Sequence, residues 1–114
     1  MLTINNKSNF FFEQRHSFDQ SFLDVGNGHN IYYEQYGNPN GKPILFLHGG
    51  PGSGFSSSHK SFFDPNIFRV IFLDQRGSGK SVPSGEIENN TTTDLIQDIE
   101  KLRDHLNIKK WLIF

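Results

Sequence analysis

The rhythm of apolar and polar positions changes several times along the chain. Residues 1–17 mix aromatic and polar side chains without a steady period, which reads as an arm or loop. Ser21 to Val25 and His29 to Tyr36 are β-prone runs, separated by Gly26-Asn27-Gly28. Asn-Gly between two such runs predicts a hairpin, because the favoured two-residue turn needs a positive φ at both central positions. Gly37-Asn38-Pro39-Asn40-Gly41 is a second cluster of turn residues. Pro43 to Leu47 is continuously apolar and too short for a typical helix, so it reads as a buried strand; Phe68 to Leu73 reads the same way, with Arg69 at its start. Gly52 to Ser58 forms a loop leading into a short helix, and Asp74 to Gly85 forms a second loop rich in Gly and Ser.

A different period follows. Leu95, Ile99, Leu102 and Leu106 stand at i, i+4, i+7 and i+11, one apolar stripe of a helix from about Thr93 to Leu106. Thr92 or Thr93 can cap it, Asp94 and Asp98 suit its positive end, and Asn107 can stop it. Lys110-Trp111-Leu112-Ile113-Phe114 then begins a further strand, with Trp111 a packing residue at its start. The order is hairpin, strand, loop, strand, helix, strand. Short and wholly apolar strands belong inside a sheet covered on both faces. The expected fold is therefore α/β: a mostly parallel sheet with an antiparallel N-terminal hairpin.

Composition narrows the function classes. Hydrophobic residues make up 34% of the 114 positions and aromatics 14%, with twelve Phe, which is enough to build a core. A net charge of -1 without any charged block gives no attraction to nucleic acid or an anionic membrane. With no cysteine, a disulfide framework and a Cys-based metal site are both excluded. Near the N-terminus the only apolar run is Phe10-Phe11-Phe12, short of a signal peptide, and no segment approaches the roughly 20 apolar residues of a membrane span. A cytoplasmic protein is the expectation. His16, His29, His59 and His105 lack metal-ligand spacing and are expected on the surface or in loops.

Chemistry concentrates in the two glycine-rich loops. Gly79-Lys80-Ser81 resembles the end of a phosphate-binding loop, but the glycine required five residues earlier is Asp74, and Pro83 and Gly85 stand where a helix should begin. A dinucleotide fingerprint fails as well: counted from Gly50 it needs glycine at Phe55, and from Gly52 at Ser57. The first loop, His48-Gly49-Gly50-Pro51-Gly52, lets backbone N–H groups approach a ligand closely. In one large hydrolase class such a loop supplies half of an oxyanion hole.

His48-Gly49-Gly50-Pro51-Gly52 after one strand, Asp74-Gln75-Arg76-Gly77 after the next and Phe62-Phe63-Asp64-Pro65 between them strongly resemble the proline iminopeptidases, serine aminopeptidases of the α/β-hydrolase fold. The resemblance runs from about Asp24 to Phe114 and includes Tyr32-Tyr33-Glu34-Gln35, Gly37-Asn38-Pro39 and Asp98 to Arg103. Ser78, Lys80, Thr93 and Ser53 depart from that pattern, where Cys, Arg, an aromatic and Gly are usual. The resemblance implies that Gly50 donates its N–H to an oxyanion. It implies supporting roles for His48, Gly49, Pro51, Gly52, Asp74 and Arg76, with His48 holding the loop rather than acting as base, and Asp74 and Arg76 read as a charge pair. It also implies a peptide substrate with N-terminal proline, and no cofactor or metal.

The nucleophile elbow of this class, Gly-x-Ser-x-Gly, is not found. Ser53 is flanked by Pro51 and Phe55, Ser78 by Arg76 and Lys80, and Ser84 by Val82 and Glu86. The resemblance places the elbow just after the strand at Trp111, with the acid and base later still. Residues 1–17 are thus read as an arm and 18–114 as an incomplete core domain. The chain alone is expected to be inactive and prone to association at its last strand. Another α/β-hydrolase, such as an esterase or epoxide hydrolase, and a non-catalytic remnant of the fold are the alternatives. The sequence leaves the oligomeric state unassigned.

Overall fold

The computed structural model describes residues 12–48, 54–83, 85 and 91–114. Five strands form one mixed sheet: β1 (Asp19–Gly26), β2 (His29–Gly37), β3 (Lys42–Leu47), β4 (Phe68–Asp74) and β5 (Leu112–Ile113), in the order β1-β2-β4-β3-β5. A short 3-10 helix, Ser57–Phe62, connects β3 to β4, and α1 (Thr92–His105) connects β4 to β5.

The hairpin forms where Asn27-Gly28 predicts it. Asn27 and Gly28 have φ of 54° and 76°, as the tight turn demands, and Gly26 pairs with His29 across it. β2 continues antiparallel onto β4, from Gly37 opposite Arg69 to Tyr32 opposite Asp74. β4, β3 and β5 run parallel to one another. The second turn brings backbone close to backbone: a Cβ on Gly37, which has φ +91°, would lie 2.3 Å from the Phe68 carbonyl oxygen. Side-chain alternation along β3 and β4 then makes two cores. Leu45, Ile71 and Leu73 join Tyr33 on one face, beneath Ile99 and Leu102 of α1. Ile44, Phe46, Val70 and Phe72 join Tyr36 and Phe63 on the other.

The N-cap of α1 is Thr91, one residue before the first of the two expected caps. Thr91 Oγ1 accepts the Asp94 N–H and Asp94 Oδ2 accepts the Thr91 N–H, so the aspartate three positions on selects the first of three successive threonines. Asn107 stops the helix, as expected, just after the C-cap Leu106, in the left-handed region at φ 57°. Asn107 and Ile108 donate to the carbonyls of Asp104 and Arg103, and Ile108 is buried behind this stop. The part of the arm that is described is pinned: Phe12 N–H donates to the Ser61 carbonyl, and Arg15 N–H to the Tyr36 hydroxyl.

The last strand leaves the apolar edge expected of an incomplete core. Among the described residues β5 has a neighbour on one side only, β3, and Leu112, Ile113 and Phe114 are 61%, 58% and 65% exposed. Trp111 is half-buried against the α1-side core, as expected for a packing residue.

Candidate functional site

Strand order reverses around β3. The chain leaves β3 for β4 on one side and returns from β4 to β5 on the other, with the 3-10 helix and α1 packing against opposite faces. In open α/β sheets the crevice at the carboxyl ends of such strands is where ligands bind. The loops after β3 and β4 both begin there. Gly49, Gly50, Pro51 and Gly52 lie outside the described residues. The residues on either side of them, and residues 75–83 after β4, are described.

His48 is buried at the end of β3. Its Nε2 accepts the Gln75 backbone N–H at 3.2 Å, and its carbonyl accepts Gln75 Nε2 at 3.2 Å, so the two strand ends are tied together. Asp74, also buried, sits beside this tie. Its Oδ1 accepts the Phe55 N–H at 2.8 Å and its Oδ2 the Lys80 N–H at 2.9 Å. Two glycines press against the same carboxylate. A Cβ on Gly54 would lie 2.3 Å from Oδ1 and one on Gly79 2.3 Å from Oδ2, and both glycines have positive φ. Ser81 completes the turn by donating to the Asp74 carbonyl and accepting the Tyr32 N–H. The Lys80 amide, which a phosphate loop would offer to its ligand, is thus occupied by the protein's own carboxylate.

Asp74 and Arg76 do not form the expected charge pair. Arg76 grips Asp98 of α1, with Nε to Oδ2 and Nη2 to Oδ1 both at 2.8 Å, and Asp94 Oδ1 lies 3.8 Å from Nη1. The chain turns after Asp74, which faces Phe55, and carries Arg76 over to the α1 face. The bidentate bond to Asp98 is the chief cause holding the guanidinium pKa above its ordinary value. Thr91's backbone N–H, then its hydroxyl, holds Asp94 below the usual carboxylate range.

A second polar group lies on the face of Tyr36 and Phe72. Glu34 accepts the Ser17 hydroxyl at 2.5 Å and the Tyr32 hydroxyl at 2.6 Å, and lies 3.3 Å from Lys60 Nζ. Burial pushes the Glu34 carboxyl upward as the largest single influence, but the two hydroxyls and the Lys60 charge together outweigh it, so the net shift is downward. Tyr32 is pushed well above its ordinary value, first by burial and then by its bond to Glu34. Tyr32, Glu34, Phe55, Lys60, Asp74 and Lys80 are among the residues lining a cavity of about 290 Å³ at the carboxyl end of β4.

Glu34, Lys60 and Asp98 were not expected in these roles. Two of them leave a mark in the sequence. Asp98 falls on the apolar helix stripe, three residues after Leu95 and beside Ile99, and a charge at a core position signals a buried partner. Glu34 alternates with Tyr32 and Tyr36 on one strand face in the same way. Nothing in the pattern around Lys60 marks it. His29 corrects another expectation: it is 2% exposed rather than on the surface, and its Nδ1 has no hydrogen-bond partner among the described residues. The bridge between Asn30 and Val82 brings the loop after β4 back to this end of β2. His59 is half-buried, and its Nδ1 accepts the Ser56 N–H.

The alpha/beta hydrolase fold family matches residues 42–114. A protein named "Probable proline iminopeptidase" from Leptolyngbya boryana is 56% identical over 97 residues, which is 85% of this chain and 30% of the relative. The proline iminopeptidase of Neisseria gonorrhoeae is 50% identical over 103 residues, 90% of this chain and 33% of the relative. The chain therefore spans about a third of the length of these curated relatives. Among solved structures, a proline iminopeptidase-related protein from Thermus thermophilus superposes with TM-score 0.71 at 28% identity, covering 83% of this chain and 34% of that one. An epoxide hydrolase from Vigna radiata superposes with TM-score 0.67 at 27% identity, covering 83% and 30%.

Proposed function

The chain belongs to the alpha/beta hydrolase fold family, and from that premise we propose that it is the N-terminal portion of a proline iminopeptidase, a serine-type enzyme releasing N-terminal proline from peptides. The observation that carries this reading is the pair of loops. His48-Gly49-Gly50-Pro51-Gly52 and Asp74-Gln75-Arg76-Gly77 follow adjacent parallel strands, and their ends are hydrogen-bonded through His48 and Gln75. The 50–56% identity to proline iminopeptidases favours this activity over other chemistries of the fold, since the epoxide hydrolase shares the architecture at only 27%.

In this reading Gly50 gives its N–H to the oxyanion formed when a serine attacks the prolyl carbonyl. One such donor contributes about 10²–10³ in rate. His48, Gly49, Pro51, Gly52 and Asp74 support that loop, and Arg76 ties the second loop to α1. The serine, acid and base come from sequence beyond these 114 residues, which hold no Gly-x-Ser-x-Gly. Loss of the serine alone costs a comparable enzyme about 10⁶ in kcat, or about 8 kcal/mol, which an oxyanion donor cannot recover. The chain by itself is therefore inactive.

The test is a chimera in which this chain replaces the aligned stretch of the Neisseria gonorrhoeae enzyme. It should release arylamine from a prolyl-arylamide far faster than from a leucyl-arylamide. A folded chimera without prolyl activity would sink the assignment.

A further inference from the structure

The turn after β4 does more than hold itself. We infer that the Asp74 carboxylate is a built-in anion that sets the separation of the two loops, and so a positioning residue for the chemistry proposed above. The segment 49–53 joins two described flanks, His48 on one side and Gly54-Phe55 on the other. Both flanks bond to consecutive residues at the end of β4. His48 is held by Gln75 through the ring and the carbonyl, and Phe55 is held by Asp74 Oδ1. The other oxygen of the same carboxylate holds Lys80 in the second loop. One buried side chain thereby fastens the exit of the first loop to the middle of the second.

The fit is specific to an aspartate. Two backbone N–H groups converge on the two oxygens, an arrangement that needs acceptors at both positions. Asparagine has the same shape but presents an NH₂ to one of the donors. Glutamate would need room that Gly54 and Gly79 do not leave, since even a Cβ on either would reach within 2.3 Å of the carboxylate. Hydrogen bonds to a charged group are the stronger class, and leaving a buried donor unpaired costs more than the bond itself gains.

This inference rests on the peptidase reading for its catalytic consequence but not for its geometry, so the experiment has two arms. In the first, amide hydrogen exchange is followed in the 114-residue chain. Asp74→Asn should speed exchange at the Phe55 or Lys80 amide by about tenfold or more, with Ile71, Phe72 and Leu102 unchanged. Parent rates at both amides in the variant overturn the inference. If Asp74→Asn unfolds the chain, Gly54→Ala tests the cage from its other side: exchange at Phe55 should rise while Leu102 keeps its protection, and no change at Phe55 again overturns it.

In the second arm, Asp74→Asn is placed in the chimera. kcat should fall about tenfold or more with KM within about twofold, in a variant whose melting temperature still exceeds the assay temperature by a wide margin. A variant with the parent's kcat, or with a loss equal to its unfolded fraction, overturns the positioning role. If the chimera with Asp74 intact is already inactive, the peptidase reading fails, while the exchange arm still decides the clamp.

Discussion

Replacing Asp98 by alanine should be among the most damaging single changes in this chain. The Arg76 and Asp98 side chains are 3% and 1% exposed, and they share two bonds of 2.8 Å. Truncating Asp98 leaves a buried guanidinium without its bidentate partner, a loss of about 3–5 kcal/mol in comparable pairs. Asp94 stands 3.8 Å from Arg76 with a side chain 22% exposed. In that partly solvated place it recovers only a minor share. Total stability of a domain is about 5–15 kcal/mol, so the change removes a large fraction of it. With a urea slope of about 1–3 kcal/mol/M, the midpoint should fall by about 2 M. Urea titration followed by Trp111 fluorescence and by circular dichroism gives the value. The double variant Arg76→Met with Asp98→Leu removes both charges and should recover the stability of the parent to within about 1 kcal/mol. A loss below about 1 kcal/mol in Asp98→Ala, or a double variant as unstable as the sum of the single ones, refutes the buried-pair reasoning.

Glu34 should make stability fall in acid. Its folded pKa lies below the ordinary carboxylate value, so its contribution is fully present above about pH 4.3 and is lost as pH falls through the folded pKa. Urea midpoints between pH 7 and pH 3 should drop more steeply for the parent than for Glu34→Gln, and equal slopes would count against the Ser17–Glu34–Lys60 group. Gly37→Ala should destabilise by at least about 1 kcal/mol more than Gly28→Ala in the same titration. Both have positive φ, but the Cβ at 37 meets the Phe68 carbonyl while the one at 28 meets open space. Thr91→Ala should cost about 1 kcal/mol and Thr92→Ala close to nothing; a reversed order would mean that the helix starts elsewhere.

Much of the fold was legible because burial imposes a period. Ile44 to Leu47 and Val70 to Leu73 alternate between two cores, and Leu95, Ile99 and Leu102 turn one stripe inward. Asn27 and Asn107 were readable because few residues tolerate a positive φ. The start of α1 was less so, since Thr91, Thr92 and Thr93 are chemically equal and only the reach of Asp94 chooses among them. The site was legible as loops and not as partners. Neighbouring positions in the motif suggested that Asp74 and Arg76 meet. The turn between them sends one carboxylate to the amides of Phe55 and Lys80, and the guanidinium to a helix more than twenty residues away. Lys60 reaches Glu34 only because the 3-10 helix folds over the sheet, a relation that no local pattern carries.

In the proposed reading these residues supply the oxyanion side of a peptidase site and require a nucleophile from elsewhere. The most direct measurement compares, in one assay, prolyl-arylamide turnover by the purified 114-residue chain and by the chimera that joins it to the remainder of the Neisseria gonorrhoeae enzyme. The expected result is turnover by the chimera and none above buffer by the chain. Turnover by the chain alone that persists after host peptidases are removed, or a folded but inert chimera, contradicts it.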